Sequence, residues 1–205
     1  MEGYITIKQA ASYEYEEKKS VFIADAAPVS CEADALRFIE GIKKKYPDAR
    51  HHVYAYVLRE NSIMRFSDDR EPQGTAGMPV LDVIRKNGCT DTVIVVTRYF
   101  GGTLLGTGGL VRAYTAAALG ALSSAEIITY DIYTTLEIKV SYSDYQRLGA
   151  PLTELGFRTL DTLYSDLVAV SGSVKSALLS ELEKRVVELT SGRAEITVIG
   201  EKFEY

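Results

Sequence analysis

The sequence predicts an α+β protein of two domains, residues 1–131 and 132–205, and three observations carry that prediction. The 205 residues are 46% hydrophobic and 25% charged, ordinary globular usage in a chain long enough for one large or two small domains. Up to Leu122, β-branched runs alternate with stretches whose apolar residues recur at helical spacing. From Ile132 the pattern changes to strand, helix, strand, strand, helix, strand. The division is placed between Ser124 and Ile132.

The elements follow in order. Ser30 is a candidate N-cap, with Glu32 and Asp34 in a first turn, Leu36, Ile39 and Ile42 on one face, and Lys43-Lys44-Lys45 at the carboxyl end, where cations complement the helix dipole. Pro47-Asp48 ends that helix. Strands 53–58 and 63–66 form a hairpin through Glu60-Asn61-Ser62. A polar loop over 67–77 leads to Pro79, suited to a first helical turn, and to Val80, Leu81, Val83 and Ile84 before Asn87-Gly88. Residues 92–97 are apolar on both faces, as in a core strand, and a glycine-rich loop of 98–109 precedes a helix traced by Leu110, Tyr114, Ala117, Ala118, Ala121 and Leu122.

In the second domain, strands are expected over 133–140, 158–164, 167–173 and 194–199, with helices from Ser143 and over 176–191. Ser143 with Gln146 reads as a capping box, Gly156 and Gly192 as helix stops, and Pro151 as a kink or break near Gly149-Ala150. Right-handed crossovers make this βαββαβ order a ferredoxin-like sandwich, one sheet with two helices on one face.

Composition excludes several classes. No apolar run approaches the roughly 20 residues needed to span a bilayer, and Met1-Glu2-Gly3-Tyr4 begins no signal segment, so a cytoplasmic location with no membrane partner is expected. Cys31 and Cys89 make neither a disulfide framework nor a metal set, and no metal or cofactor is expected. The net charge of −5 comes from 15 basic and 17 acidic residues up to Asp131 and 8 and 11 after it. Nucleic-acid binding therefore needs a local cationic patch, and no DNA sequence specificity is expected.

Two segments invite chemistry. In the first, glycines between a strand and a helix expose backbone N–H groups to an anion, and Arg98 and Arg112 bracket them with guanidinium forks. The anion or nucleic-acid candidates are Arg98, Tyr99, Gly101, Gly102, Gly106, Gly108, Gly109 and Arg112. Gly101 and Gly106 have the spacing of a P-loop, but Thr107-Gly108 replaces its Lys-Ser/Thr, and Val111 replaces the last glycine of a dinucleotide fingerprint. The alternative is that the glycines serve positive φ and close packing, and that the arginines pair with Asp68, Asp69 or Glu71.

The second segment is that acidic loop, with Asp68, Asp69, Glu71, Gly74 and Thr75, and with His52 grouped beside it as support. Its carboxylates suit a hard cation or acid–base work, although the spacing matches no calcium loop; alternatively they cap backbone N–H groups and pair with arginines. His51 and His52 point to opposite faces of a strand, so at most one serves a site. No catalytic residue is assigned. Tyr54, Tyr56, Tyr99 and Tyr114 offer rings for stacking or for a protein-binding surface.

Together, His51-His52, Ser67-Asp68-Asp69-x-Glu71-Pro72-x-Gly74-Thr75-Ala76-Gly77-x-Pro79 and Val96-Thr97-Arg98-Tyr99-Phe100-Gly101-Gly102-x-x-Leu105-Gly106-x-Gly108-Gly109-Leu110-Val111-Arg112-Ala113-Tyr114 resemble the signature of the YigZ/IMPACT family. The likeness covers most of residues 18 to 125, and the βαββαβ tail is similar to the small C-terminal domain of bacterial members. Arg70 stands where the family usually has glycine, and Leu104 where lysine is common. The resemblance implies an N-terminal domain like the second domain of ribosomal protein S-five and domain four of elongation factor G, and a C-terminal domain like that factor's ferredoxin-like ones. It implies a link to translation, through RNA, the ribosome or a translation-related protein, and no established reaction.

The expectation is a non-catalytic binding or regulatory protein acting through the glycine and arginine segment. The alternatives are a hydrolase using Asp68, Asp69 and Glu71 with one histidine, and a purely protein–protein regulator.

Overall fold

The computed structural model describes residues 3–205; Met1 and Glu2, part of the segment read as no signal sequence, lie outside them. The chain forms two compact units, one of Tyr4–Thr129 and one of Tyr130–Tyr205 with Gly3. The change of unit falls inside a single strand, β7 (Ile127–Val140), so the two are joined by continuous backbone.

In the first unit, strands β2 (Ala11–Glu17), β3 (Ser20–Pro28), β6 (Thr92–Tyr99), β4 (His51–Val57) and β5 (Met64–Ser67) form an antiparallel sheet in that spatial order. The short β1 (Tyr4–Ile7) bridges to Cys89 through Ile5. Strand β6 is central, and the side-chain alternation of a strand explains its two apolar faces. Val93 and Val95 pack under helix α1 (Glu32–Lys45) against Ile39, Ile42 and Tyr56. Ile94 and Val96 face helices α2 (Gly77–Lys86) and α3 (Gly106–Ser124), against Val80, Ile84, Tyr114, Ala117 and Ala121. Fully buried alanines at 113, 117, 118 and 121 let α3 lie close to the sheet.

The second unit carries strands β10 (Glu195–Glu204), β7, β9 (Val168–Lys175) and β8 (Arg158–Tyr164), antiparallel in that order, with helices α4 (Tyr142–Glu154) and α5 (Leu179–Thr190). This is the ferredoxin-like order that a βαββαβ chain adopts. Leu136, Ile138, Val140, Val168, Val170 and Val174 from the sheet enclose one core with Leu148, Leu152, Leu182 and Val186 from the helices.

Several local expectations are corrected. The cap residue of α1 is Cys31 rather than Ser30, whose hydroxyl instead donates to the Asp34 carboxylate at 2.7 Å. That bond and the neighbouring Arg37 lower the Asp34 pKa to about 2. The cap of helix α4 is Ser141 rather than Ser143, and its hydroxyl accepts the Asp144 N–H at 3.2 Å. Pro151 does not break it, because it stands in the last turn, where its missing N–H removes one helical bond while the Leu155 N–H still reaches the Pro151 carbonyl at 3.2 Å. Helix α3 begins at Gly106, not Leu110, so Gly106, Gly108 and Gly109 are helical and the true loop is only residues 100–105.

Candidate functional site

Near one end of the sheet, the acidic loop, the end of β6 and helix α3 meet around one buried carboxylate. Glu71 accepts a hydrogen bond from Arg98 Nη1 at 2.7 Å and another from the Tyr114 hydroxyl at 2.7 Å, both on Oε1. All three residues are buried, Arg98 at 7% exposure, Glu71 at 8% and Tyr114 at 0%. Burial, then the Glu71 charge, drives the Tyr114 pKa far above that of a free phenol, so the hydroxyl stays a donor. The Arg98 guanidinium also lies 5.4 Å from the ring of Phe22 and 5.7 Å from that of Phe100.

This corrects the assignment of Arg98 as an anion ligand. An even-numbered position on β6 turns it toward α2 and α3 rather than toward solvent, and its charge is committed to Glu71. The three side chains form an internal strut that ties the loop to the sheet and to α3.

The rest of the acidic loop is equally structural. Asp68 accepts from the N–H groups of Gly74 (2.9 Å), Ala76 (3.1 Å) and Gly77 (2.8 Å), and so caps α2 from a distance, since Ala76 at the cap position has no side-chain acceptor. Asp69 accepts the His52 backbone N–H at 2.6 Å. Asp69 and Arg70 both take left-handed backbone, φ 38° and 69°, a conformation that ordinarily favours glycine. Thr75 folds its hydroxyl back onto the Pro72 carbonyl at 2.6 Å, and Gly74 supplies a turn with φ 75°. Among the described residues no group of three His, Cys, Asp or Glu is placed to hold a metal.

The histidines separate as strand alternation requires, but the ring on the loop side is that of His51. Its Nδ1 lies 2.8 Å from the Asp69 carbonyl, whereas His52 turns Nε2 to the Tyr46 carbonyl at 3.0 Å, at the end of α1. His52 therefore supports the loop only through its backbone. Tyr99 is half-buried and, one residue beyond Arg98, lies on the opposite face of the strand.

The glycines divide into two sets. Gly101 packs so tightly that a Cβ there would come within 2.0 Å of the Lys19 backbone, and its N–H donates to the Ser20 hydroxyl at 3.1 Å, which withdraws that amide from any ligand. Gly109 is buried against Leu105. Gly102 has φ 83° with open space around it, and Gly106, with φ 70°, opens α3. Gly106, Thr107 and Gly108 are all exposed, and the first amides of a helix have no helical acceptor. One turn on, Arg112 is exposed, and Lys18 and Lys19 at the adjacent β2–β3 turn are exposed as well; none of the three forms an ion pair with a carboxylate among the described residues. The lysines escaped sequence reading because they lie about 80 residues away, and only the packing of Gly101 on Lys19 places them here. Phe100 and Leu104 add exposed apolar surface, while Tyr56 and Tyr114 are buried and offer no stacking face.

The fold and this site define a class: a two-unit α+β protein whose acidic loop is clamped from within and whose outward face is the start of a glycine-led helix. The chain belongs to the IMPACT family. The Impact N-terminal domain matches residues 18–122, and a domain of unknown function (DUF1949) matches residues 138–193. IMPACT family member YvyE of Bacillus subtilis is 36% identical over 96% of this chain and 91% of that protein, and IMPACT family member YigZ of Escherichia coli is 30% identical over 98% and 100%. Protein IMPACT of Bos taurus is 32% identical over 44% of this chain and 30% of its own length. A solved structure described as a hypothetical protein superposes with TM-score 0.61 at 30% identity, covering 98% of both chains. No helix among the described residues is long and apolar enough to cross a membrane.

Proposed function

We propose that this protein is a non-catalytic binding regulator linked to translation, which contacts RNA phosphates through the start of α3. The observations that carry this reading are the exposed Gly106–Gly108 start of α3 with exposed Arg112 one turn on, and the exposed Lys18 and Lys19, of which Lys19 packs against Gly101 in the preceding loop. A helix amino terminus carries about half a positive charge, and Arg112 on that helix with Lys18 and Lys19 beside the preceding loop adds cationic groups on a chain whose net charge is −5. Phe100 and Leu104 beside it give apolar contact for bases or for a protein. The link to translation rests on membership of the IMPACT family and on what the family resemblance implies.

The hydrolase reading loses its acid–base groups. Asp68 is saturated by three amides, Glu71 is locked to Arg98 and Tyr114, and Asp69 holds backbone. A purely protein–protein regulator using the same surface is the other reading, and salt dependence separates the two. Binding of single-stranded RNA is expected to weaken steeply as salt rises, and Arg112→Ala is expected to weaken it and reduce the slope of log K against log salt by about 1. Salt-independent binding, or an Arg112→Ala variant with the wild-type slope, overturns the RNA reading.

A further inference from the structure

We propose that the ring of Phe100 is a stacking platform for one unpaired base, so that the α3 surface selects single-stranded RNA over duplex; the platform rests on the RNA contact proposed above. Phe100 is 51% exposed, yet it is fixed in three ways. Tyr99 before it pairs with Val21 at the end of the β3–β6 ladder. Gly101 after it is wedged against the Lys19 backbone, with its N–H on the Ser20 hydroxyl at 3.1 Å. Beneath it the Arg98 guanidinium lies 5.7 Å from the ring centre, itself buried and held by Glu71 at 2.7 Å. A side chain ordered before the ligand arrives loses little further entropy on binding.

The surroundings select the occupant. Arg112 folds back over the first turn of α3, since a Cβ placed on Gly108 would stand 3.7 Å from its Nη1. Strand β2 runs along the same helix, with the Tyr13 ring against Gly120 and Tyr15 nearer Arg112, and so carries the Lys18-Lys19 turn toward the helix start. The Glu17 hydrogen bond holds the Tyr15 hydroxyl above its ordinary pKa, and Arg112 is close enough to pull against it. Neither residues 100–105 nor α3 contains a carboxylate. Of the β2 glutamates, Glu14 and Glu16 turn to the opposite face, and Glu17 already accepts from the Tyr15 hydroxyl at 3.1 Å, so three cations face one anion. That excess repels a basic segment. A cation behind a ring also weakens the negative charge of its outer face, which disfavours a second cation there and favours another π face. A single strand offers both fitting parts, a phosphate for the cations and a flat base for the ring. A duplex offers its phosphates and keeps its base faces stacked.

The test titrates the full chain with oligoadenylate, with its duplex on oligouridylate and with inorganic polyphosphate, reading affinity together with the NMR shifts of the Phe100 ring protons. The single strand is expected to bind more tightly than the duplex and to move those protons upfield, as a base lying over the ring requires. Phe100→Ala is expected to weaken the single strand about tenfold, the size of one base–aromatic stack, and to leave duplex and polyphosphate as they were. Phe100→Tyr is expected to restore the affinity, and Arg112→Ala to weaken all three ligands. Wild-type affinity for the single strand in Phe100→Ala, with Arg112→Ala impaired, overturns the platform and leaves the phosphate contact standing. Binding of none of the three overturns both. Duplex bound as tightly as single strand also overturns the platform. Should Phe100→Ala fold poorly, Phe100→Leu keeps the apolar contact without the flat face and is expected to weaken the single strand about fivefold; an unaltered affinity there overturns the proposal.

Discussion

Replacing Arg98 by alanine tests whether this residue is a strut or a ligand. The substitution leaves the Glu71 carboxylate, 4% exposed as a side chain, with Tyr114 as its remaining donor. Removing one partner of a buried ion pair costs about 3–5 kcal/mol; since Tyr114 still donates, the lower end, about 3 kcal/mol, applies. With a urea slope of about 2 kcal/mol/M, the midpoint of the first unit falls by about 1.5 M. Tyr114→Phe removes one hydrogen bond to a charged group and lowers stability by about 1.5–2 kcal/mol. Replacing both charges, Arg98→Met with Glu71→Leu, returns stability to near wild type, because neither ion is then left buried alone. The measurement is urea unfolding followed by circular dichroism, with RNA affinity measured under native conditions. An Arg98→Ala variant that keeps its midpoint within about 0.3 M and loses RNA affinity refutes the strut and returns Arg98 to the ligand set.

Other outcomes follow from single contacts. Gly101→Ala, which drives a methyl into the Lys19 backbone, is expected to cost about 2–3 kcal/mol in the same assay, whereas Gly102→Ala pays only for its positive φ, about 1 kcal/mol. Asp68→Ala removes the acceptor for three amides and is expected to lower stability by about 1–2 kcal/mol, with the loss of hydrogen-exchange protection concentrated at residues 74–80. Burial pushes the Cys89 thiol up to about 11, so at pH 8 Ellman's reagent is expected to titrate Cys31 in the native protein and Cys89 only after unfolding. The same shift has a sign for stability. Between the free thiol's value of about 8.5 and the folded value of about 11, the unfolded chain holds fewer protons, so the Cys89 contribution is present below that window and is lost as pH rises through it.

Much of the fold is legible in the residues, and the failures have physical causes. Strand β6 announces itself because apolar side chains on both faces need protein on both sides, and α1 on one face with α2 and α3 on the other supply it. The β2–β3 hairpin escapes because its turn is Lys18-Lys19, both at positive φ (48° and 66°), where a sequence ordinarily marks the turn with Asn-Gly. Strand β2 is also an edge strand, in which the alternation of Ala11, Tyr13 and Tyr15 with Ser12, Glu14 and Glu16 is short and ends at Glu17. The start of α3 misleads because glycines at 106, 108 and 109 are poor helix formers, held helical here by packing of the apolar face that follows. At the candidate site, the residue types are visible but their direction is not. An arginine beside glycines invites a ligand, and only its parity on β6 shows that it points inward to Glu71. Arg112 forms no ion pair with a carboxylate among the described residues, and it is the arginine on which the proposed RNA contact rests.

On the function proposed, the first turn of α3 is the receptive face for negative charge. A titration of isotopically labelled protein with oligouridylate, followed by amide shifts, measures this directly. The largest changes are expected at Gly106, Thr107, Gly108 and Arg112, with smaller ones at Lys18 and Lys19, all diminished by added salt. Shifts centred instead on residues 68–77 or on the second unit, with residues 106–112 unmoved, contradict it.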